Sequence, residues 1–466
     1  MSRIQAVDLQ ALKCRMKLPV RQVSKPLILK GCQMKKVAFY TLGCKVNQYE
    51  TEAVSEIFEK EGYETVDFEE KADVYVINTC TVTNLSDRKS RQIIRRARKN
   101  NEDSIIVVMG CYAQTAPEEV SSIEGVNLVI GTKDRNRIID YIKKIEENNK
   151  SINAVKNIMT AREFEELDIN VYKGRTRAYL KIQEGCSQFC TYCIIPYARG
   201  PIRSKQPEQV LKEVEKLADS GFKEVVLTGI HLASYGKDIK NTSLLDIVRR
   251  IHDIEGIERI RLGSIEPTTV TEEFVEAAAT LSKLCPHYHI SLQSGCDATL
   301  KRMNRKYTAG EYKKVVEMLR TNIPDVAITT DVMVGFPGET EEEFEETYRF
   351  LEEIALSQMH IFRFSPRKGT PAATYDHQVD PRTKEERSNR LMELNRLNMA
   401  RFHKSFERRV MPVLFEQEMK ERKGYIEGHT ANYIKVICKG EDGLKGKIAG
   451  VKLERTVEDY MEGMLV

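Results

Sequence analysis

Short apolar segments rich in β-branched residues alternate with amphipathic helical segments along most of the chain after residue 33. In the first part, VAFYT, VYVINT, IIVVMG and VNLVIG have the pattern of buried parallel strands, with helical patterns between them. Six further strand–helix units follow, and a long helical pattern at 381–409 leads into short alternating strands. This order predicts a doubly wound parallel sheet, a partial (β/α)6 barrel and a small antiparallel β-barrel.

The predicted domains are 34–150, 151–400 (including the linker helix) and 401–466. Residues 1–33 form a basic extension with seven Lys or Arg, one acid (Asp8) and no clear strand or helix pattern. We expect a disordered arm or an overextended gene start, since Met34 directly precedes a strand; a nucleic-acid-binding arm or a targeting segment is the alternative. Cys14 and Cys32 in this extension receive no role.

Composition limits the class of protein. The chain has 466 residues, of which 41% are hydrophobic and 30% charged, as expected for a soluble globular protein of several domains. It has no run of eighteen apolar residues and no cleavable signal pattern. We therefore expect a cytoplasmic protein without a membrane segment, in which clustered cysteines bind metals rather than form disulfides. The net charge of +4 decides nothing about partners.

Three cysteines lie close together in EGCSQFCTYC, directly after the first predicted barrel strand. Cys186, Cys190 and Cys193 have the spacing C-x3-C-x2-C, and no Cys or His follows soon enough to close a zinc tetrahedron. His231 is the nearest later candidate for such a fourth ligand. A cuboidal iron–sulfur cluster fits better, because three thiolates leave one iron open for a substrate or cofactor.

A second set of three cysteines is spread over the first domain. Cys44, Cys80 and Cys111 each follow a predicted strand, and they are separated by 36 and 31 residues. Neighbouring parallel strands end at the same edge of a sheet, so these thiols are expected to converge on one crevice. The alternative is buried apolar cysteine, the interpretation that we adopt for the remaining three outside the extension. These are Cys285, Cys296 and Cys438.

The cysteine loop after the first barrel strand resembles that of the radical S-adenosylmethionine superfamily, and two open triplets resemble its methylthiotransferases. The segment TLGCKVNQYET is similar to the bacterial branch that modifies N6-threonylcarbamoyladenosine in tRNA. The branches acting on isopentenyladenosine and on a ribosomal protein differ after the first cysteine, where this chain has Lys45, Val46 and Asn47. The last ~60 residues resemble the TRAM domain, a tRNA-binding module.

The resemblance implies two [4Fe–4S] clusters and S-adenosylmethionine as cofactors. It implies replacement of the C2–H of a modified adenosine at tRNA position 37 by a methylthio group. One S-adenosylmethionine would donate the methyl group to sulfur at the first cluster, and a second would be cleaved to a radical at the barrel cluster. Expected partners are the tRNA anticodon loop and an electron donor such as flavodoxin or ferredoxin; the oligomeric state is not assigned.

Two alternatives stay open. The same chemistry could act on N6-isopentenyladenosine in tRNA or on a ribosomal protein. The chain could instead be a non-catalytic iron–sulfur electron carrier or RNA-binding protein, although carriers usually ligate each cluster with four cysteines.

Several polar residues near the C-terminal strand ends of the barrel are expected to contact the cofactor, because barrel chemistry occurs at that face. Their alternative role is ordinary hydrogen bonding at the barrel rim, and no catalytic residue beyond the cluster ligands is assigned. The expected contacts are Gly229, Ser264, Glu266, Gln293 and Asp331.

A basic stripe is predicted on the helix NLSDRKSRQIIRRARKN, which follows Cys80 and has Ser86 or Asp87 as its expected cap. Five cations fall within about 100° of the helix circumference, which favours contact with tRNA phosphates over an ordinary solvated face. They are Arg88, Arg91, Arg95, Arg98 and Lys99.

Overall fold

The computed structural model of the protein describes residues 34–167, 169, 176–440 and 442–466. The predicted basic extension at 1–33, with Cys14 and Cys32, lies outside the described residues. Within the described ranges, no helix is both long enough and apolar enough to cross a membrane.

The N-terminal domain is a parallel sheet with helices on both faces. Its strands follow the order β2-β1-β3-β4-β5-β6. All six residues of the central strand β3 are buried, because apolar clusters cover the sheet on either side. The strands are β1 (Lys36–Thr41), β2 (Glu64–Val66), β3 (Val74–Thr79), β4 (Ile105–Gly110), β5 (Val126–Ile130) and β6 (Ile152–Asn153). The helices are α1 (Lys45–Lys60), α2 (Asn84–Asn100), α3 (Cys111–Thr115), α4 (Pro117–Ser121) and α5 (Ile138–Asn148).

The second domain is an open barrel of six parallel strands. Two hydrogen-bonded groups, β10-β9-β7-β8 and β11-β12-β13, are joined by bridges from Ile260 to Leu284 and from Ile265 to Ile290. Within the described residues no pairing connects β13 back to β7, so the barrel stays open there. The six parallel strands are β7 (Arg177–Glu184), β9 (Glu224–Gly229), β10 (Arg259–Leu262), β11 (His287–His289), β12 (Ala327–Val334) and β13 (Gln358–Arg363), and the two-residue strand β8 (Arg203–Ser204) pairs antiparallel with β7. The helices are α6 (Ile195–Arg199), α7 (Pro207–Asp219), α8 (Leu244–His252), α9 (Glu272–Thr280), α10 (Asp297–Arg302), α11 (Ala309–Asn322) and α12 (Glu341–Ile354).

The C-terminal part is a closed five-stranded barrel behind a long helix. Helix α13 (Pro381–Lys404) packs on β13, and the domain division predicted after residue 400 falls in its last turn. The barrel order is β14-β15-β16-β18-β17, with one parallel pairing, β16 to β18, among antiparallel ones. Its strands are β14 (Val410–Glu418), β15 (Tyr425–Thr430), β16 (Lys435–Lys439), β17 (Ile448–Val457) and β18 (Tyr460–Leu465).

The three predicted architectures are confirmed, with two local corrections. The small barrel is not wholly antiparallel, because β18 inserts between β16 and β17 and runs with β16. Helix α2 begins earlier than expected: Thr83, rather than Ser86 or Asp87, is its N-cap and accepts a hydrogen bond from the Ser86 amide. The acid Asp87 still lies in the first turn, where the helix dipole favours it.

Candidate active site

The first three cysteines lie at the ends of three neighbouring strands. Cys44 follows β1 and Cys80 follows β3, while Cys111 follows β4 and begins α3. Gly43 has a φ of +111°, and a Cβ there would lie 3.3 Å from the Cys80 Sγ. A glycine at this position therefore keeps the space between the first two cysteines free.

The second three cysteines occupy a loop directly after β7. Its backbone is fixed by the Cys186 amide, which donates to the Gly200 carbonyl at 3.0 Å, and by the Cys193 amide, which donates to the Cys190 carbonyl at 2.9 Å. Gly185 has a φ of +77°, and a Cβ there would collide with the carbonyl of Pro201. The loop is thus held closely against the chain that follows α6.

In each triplet, one cysteine sulfur accepts a hydrogen bond from an arginine whose side chain is largely inaccessible. The Arg199 Nε lies 3.2 Å from the Cys111 Sγ, and the Arg305 Nη1 lies 3.3 Å from the Cys190 Sγ. Burial raises the pKa of Cys111 to about 12, and Arg199 opposes that rise. Because a metal-bound thiol is deprotonated, each arginine is placed to balance buried negative charge.

Arg199 also belongs to a buried ionic network between the N-terminal domain and the barrel. Glu50 on α1 pairs with Arg135 at 2.5 Å, Arg199 at 2.6 Å and Lys181 at 3.1 Å, and all four side chains are nearly inaccessible. Lys181 and Arg199 also pair with Glu184, at 2.9 and 3.2 Å. Burial would raise the pKa of Glu50, but its three cations hold that pKa well below the ordinary value. The network therefore stays charged, and it joins Arg199, which lies beside Cys111, to Glu184 at the end of the strand that precedes the barrel cysteines.

The donor chemistry of each cysteine triplet suits an iron–sulfur cluster. In the described part of the chain, no three side chains of His, Cys, Asp or Glu converge closely enough to share one metal ion. A cuboidal cluster spans more widely spaced sulfurs, because each thiolate binds a different iron. His231, the residue considered as a zinc ligand, instead pairs with Glu266 at 3.1 Å. Each triplet offers three thiols, which is the number that a cuboidal cluster with one open iron requires.

A cavity of about 670 Å³ lies where the three domains meet. Its wall includes Cys44 and Lys45 from the N-terminal domain, Ser264 and Asp331 from the barrel, and His429 and Tyr433 from the C-terminal barrel. The volume is within the usual range for a small-molecule or cofactor site. Since Cys44 lines it, the cavity opens directly onto the first cysteine site.

The cofactor contacts predicted from the sequence divide into two groups. Gly229, Ser264 and Asp331 line the cavity, whereas Glu266 and Gln293 do not. Glu266 pairs with the Arg305 Nη2 at 3.0 Å, and so holds the arginine that reaches Cys190. Gln293 has a φ of +73°, and its backbone pairs with β12.

Five of the eight histidines of the chain line this cavity: His287, His289, His360, His403 and His429. Burial lowers the pKa of His403 to about 4 and lowers that of His287 well below its ordinary value. Burial also lowers the pKa of His360. These three imidazoles are therefore neutral at pH 7 and offer one donor and one acceptor each.

Tyr433 is one of the residues that the C-terminal barrel contributes to the cavity wall. Its ring stacks between His287 and His429, with centroids 4.6 and 4.8 Å away, and the Arg261 guanidinium lies 4.7 Å above it. Its φ of +71° is a left-handed conformation that costs a non-glycine residue roughly 1–2 kcal/mol. The contacts with the two imidazoles and with Arg261 offset that cost and fix the ring.

The predicted basic stripe is only partly free in the structure. Arg88, Arg95 and Lys99 are exposed. Arg91 instead donates to the Tyr112 hydroxyl at 2.9 Å and pairs with Glu119 at 3.0 Å. The half-buried Arg98 packs against the backbone at 125. The three exposed cations are thus the ones available to a polyanion.

Sequence reasoning missed the two arginines and the histidine wall. Arg199 lies six residues after Cys193, a proximity that could have suggested it, whereas nothing in the local sequence distinguishes Arg305. His287 and His289 alternate on β11, so their side chains share one face of the strand. This alternation of histidines along one strand could have predicted a barrel interior lined by histidine.

Two family models match the chain. One, described as the Radical SAM superfamily, matches residues 180–351, and the other, described as uncharacterized protein family UPF0004, matches residues 36–131. The two matched regions contain the barrel cysteine loop and the first-domain cysteines, respectively.

Curated relatives align with nearly the whole chain. The threonylcarbamoyladenosine tRNA methylthiotransferase MtaB of Bacillus subtilis is 48% identical over 93% of this chain and 97% of its own. The protein of the same name from Aquifex aeolicus is 41% identical over 86% of this chain and 98% of its own. The tRNA-2-methylthio-N(6)-dimethylallyladenosine synthase of Clostridium tetani is 34% identical over 91% of this chain and 94% of its own.

Among solved structures, the radical S-adenosylmethionine methyltransferase TsrM of Kitasatospora setae has a similar fold. The TM-score is 0.53 at 18% sequence identity, covering 73% of this chain and 77% of that chain. At this identity the likeness concerns the fold alone.

Proposed function

The chain belongs to the methylthiotransferase family of radical S-adenosylmethionine enzymes, and we propose that it converts N6-threonylcarbamoyladenosine at tRNA position 37 to its 2-methylthio derivative. As a member of that superfamily it uses a [4Fe–4S] cluster and S-adenosylmethionine. A second cluster, held by the first-domain cysteines, is part of the proposal.

The choice of substrate is supported by graded similarity. Three relatives named as threonylcarbamoyladenosine enzymes are 48%, 41% and 39% identical to this chain. Relatives named as dimethylallyladenosine synthases are 34–35% identical. The isopentenyladenosine alternative is therefore less well supported, and a ribosomal-protein substrate or a non-catalytic carrier less still.

One observation supports the reaction type: the chain has two separate cysteine triplets, each with an arginine side chain hydrogen-bonded to one of its sulfurs. Cys186, Cys190 and Cys193 would hold the radical cluster, and Cys44, Cys80 and Cys111 the second one. Bound at these sites, clusters and S-adenosylmethionine supply the one-electron chemistry that an aromatic C–H bond requires and that side-chain acids and bases lack.

The residues of this chain position the reactants and balance charge. Arg199 and Arg305 donate to a sulfur in each triplet and so stabilise buried thiolates. We assign the orientation of the cofactor to Ser264 and Asp331, which lie on the cavity wall. The surrounding protein excludes water, which strengthens each of these polar contacts.

The adenosine must leave its stack in the anticodon loop to bring C2 into the cavity. We assign RNA contacts to the exposed part of the basic stripe and to the C-terminal barrel, whose Tyr433 and His429 reach the cavity. A small electron-transfer protein such as flavodoxin or ferredoxin would supply the electron. We place the reaction in the cytoplasm, together with the tRNA.

The direct test is nucleoside analysis of tRNA by mass spectrometry from cells with and without the gene. Deletion should abolish 2-methylthio-N6-threonylcarbamoyladenosine while its unthiolated precursor accumulates, and the intact gene should restore it. Cys80→Ala should fail to restore it, because it removes one ligand of the proposed second cluster.

A matched control is Cys296→Ala, which removes a buried cysteine outside both triplets and should restore the nucleoside. Loss of a methylthiolated isopentenyladenosine instead, or an unchanged nucleoside profile, would refute the proposed substrate.

A further inference from the structure

Lys45 directly follows the first cluster cysteine and lines the cavity. Its ammonium lies 5.8 Å above the ring of Tyr179 on β7. Within the described part of the chain, no carboxylate lies within 4 Å of this ammonium. Desolvated charges are costly unless they are paired. A half-buried ammonium without an anionic partner is therefore suited to bind an anion.

The other cations on the cavity wall already have carboxylate partners. Arg261 pairs with Glu224 at 2.7 Å and also donates to the Ala431 carbonyl at 2.9 Å. Lys435 pairs with Glu427 at 3.2 Å. Lys45 is thus the cation of this wall that is available to a ligand, as far as the described residues go.

The acids of the wall do not compete for Lys45. Asp331 pairs with the His289 Nε2 at 3.3 Å, and Asp459 is exposed. Neutral imidazoles and the Tyr433 ring form much of the remaining surface near Lys45. Among the described residues, this part of the cavity therefore offers one cation without a carboxylate partner, next to neutral hydrogen-bonding groups, which suits a polar group with a single negative charge.

We propose that Lys45 binds the carboxylate of the threonylcarbamoyl group and thereby selects the acidic N6 substituent over an apolar one. This inference rests on the proposed function. The threonylcarbamoyl group carries one carboxylate together with a hydroxyl and a urea, which match the ammonium and the neutral imidazoles. A dimethylallyl group would leave the ammonium buried against hydrocarbon without an anion, at a free-energy cost.

The test uses anticodon stem-loop RNAs of one sequence that carry N6-threonylcarbamoyladenosine, its methyl ester or N6-isopentenyladenosine. Equilibrium binding is measured by fluorescence anisotropy with cluster-loaded protein in the absence of S-adenosylmethionine. Wild-type protein should bind the acid roughly 10- to 100-fold more tightly than the ester, as a charge-assisted hydrogen bond implies. In Lys45→Met this ratio should fall to about one, with ester binding nearly unchanged.

Two variants separate charge from structure. Lys45→Arg keeps the charge and should retain most of the preference for the acid. Lys435→Met removes a cation of the same wall that Glu427 already pairs, and it should retain the preference in full. Iron content is measured on every sample, so that only cluster-loaded protein is compared.

Equal wild-type affinity for acid and ester, or an undiminished ratio in Lys45→Met, would overturn the inference. Neither outcome would contradict the proposed function if the wild-type protein still methylthiolates the RNA that carries N6-threonylcarbamoyladenosine. Methylthiolation of the isopentenyl RNA alone would instead overturn the proposed function and this inference together.

Discussion

At the scale of single residues, Arg199 and Arg305 occupy equivalent positions at the two cysteine triplets. Each donates a hydrogen bond to one cysteine sulfur. Each also forms an ion pair with a carboxylate, which is Glu50 for Arg199 and Glu266 for Arg305. Hydrogen bonds and positive charge at cluster sulfurs stabilise the reduced, more negative state. The two arginines are thus positioned to tune the reduction potentials of the two proposed clusters independently.

We expect Arg199→Met to lower the reduction potential of the first cluster, on the order of 60 mV if removing the hydrogen bond corresponds to a tenfold change in the one-electron equilibrium. The measurement is a redox titration followed by electron paramagnetic resonance. It uses protein in which Cys186, Cys190 and Cys193 are alanine, so that only the first cluster contributes.

Arg199→Lys, which keeps the charge, should restore part of the shift. Arg305→Met in protein with both triplets should move the potential of the barrel cluster and leave the first unchanged. A purely structural role for Arg199 would reduce iron content without moving the potential of the cluster that remains.

Residue roles were predictable from sequence only where spacing carries the information. The three cysteines at 186–193 stand in a local motif, and those at 44, 80 and 111 recur at the length of a strand–helix repeat. The proposed roles of Arg305 and Lys45 depend on contacts with distant parts of the chain, which spacing does not reveal. The contact of Glu266 with the cofactor stays a prediction; in the structure this side chain pairs with Arg305 and His231 and accepts a hydrogen bond from Gln188.

At the scale of elements, α2 links the first cysteine site to the barrel. Its N-terminus follows Cys80, and Asp87 in its first turn pairs with Arg367 at 2.6 Å. Further along the helix, one face packs into the sheet through Ile94 and Ala97, while Arg88 is exposed on the other. The helix can therefore present cations to RNA without disturbing the contacts that fix its first turn.

We expect the triple change of Arg88, Arg95 and Lys99 to Gln to weaken tRNA binding and to flatten its salt dependence. For each phosphate that the variant no longer binds, the slope of log K against log salt should become shallower by roughly 0.7–0.9. Affinity is measured across a salt series, with iron content determined on the same sample.

The matched control changes three exposed lysines on other helices, Lys144, Lys212 and Lys314, to Gln, which alters the net charge equally. Its affinity and slope should stay closer to wild type. Equal effects of both triple changes would show that the stripe acts only through the overall charge.

Elements were predicted well where the pattern is strong. The six barrel strands and the strands before the first-domain cysteines were identified because continuous apolar runs mark buried parallel strands. The short strands β2, β6 and β8 were not predicted, since two or three residues give no periodicity. Thr83 was missed as the cap of α2 because Ser86 and Asp87 just beyond it are equally good capping residues.

At the scale of the whole molecule, all three domains contribute to one cavity. The N-terminal domain supplies Cys44 and Lys45, the barrel supplies Ser264 and Asp331, and the C-terminal barrel supplies Tyr433. The C-terminal barrel is fixed to the strand starts of the larger barrel, where Arg177 pairs with Glu416 at 2.9 Å. This convergence was not predictable from sequence, because no local pattern encodes how separately folded domains meet.

We expect anaerobically reconstituted protein to hold about eight iron and eight sulfide per chain, since each triplet would hold one cuboidal cluster. Changing Cys186, Cys190 and Cys193 to Ala should leave about four iron, and so should changing Cys44, Cys80 and Cys111. Zinc in place of iron, or undiminished iron in either triple variant, would contradict the assignment of two clusters.

The buried network around Glu50 limits how this protein can change over generations. Its cations come from both sides of a domain boundary, Arg135 from the N-terminal domain and Lys181 and Arg199 from the barrel. A gene fusion that exchanged one domain for a distant counterpart would leave buried charges without partners. Each broken pair would lower the free energy of unfolding by about 3–5 kcal/mol. That is a large part of the roughly 5–15 kcal/mol by which folded proteins are stable. We therefore expect the two domains to be inherited as one unit, with a substitution on one side of the boundary accompanied by a compensating one on the other.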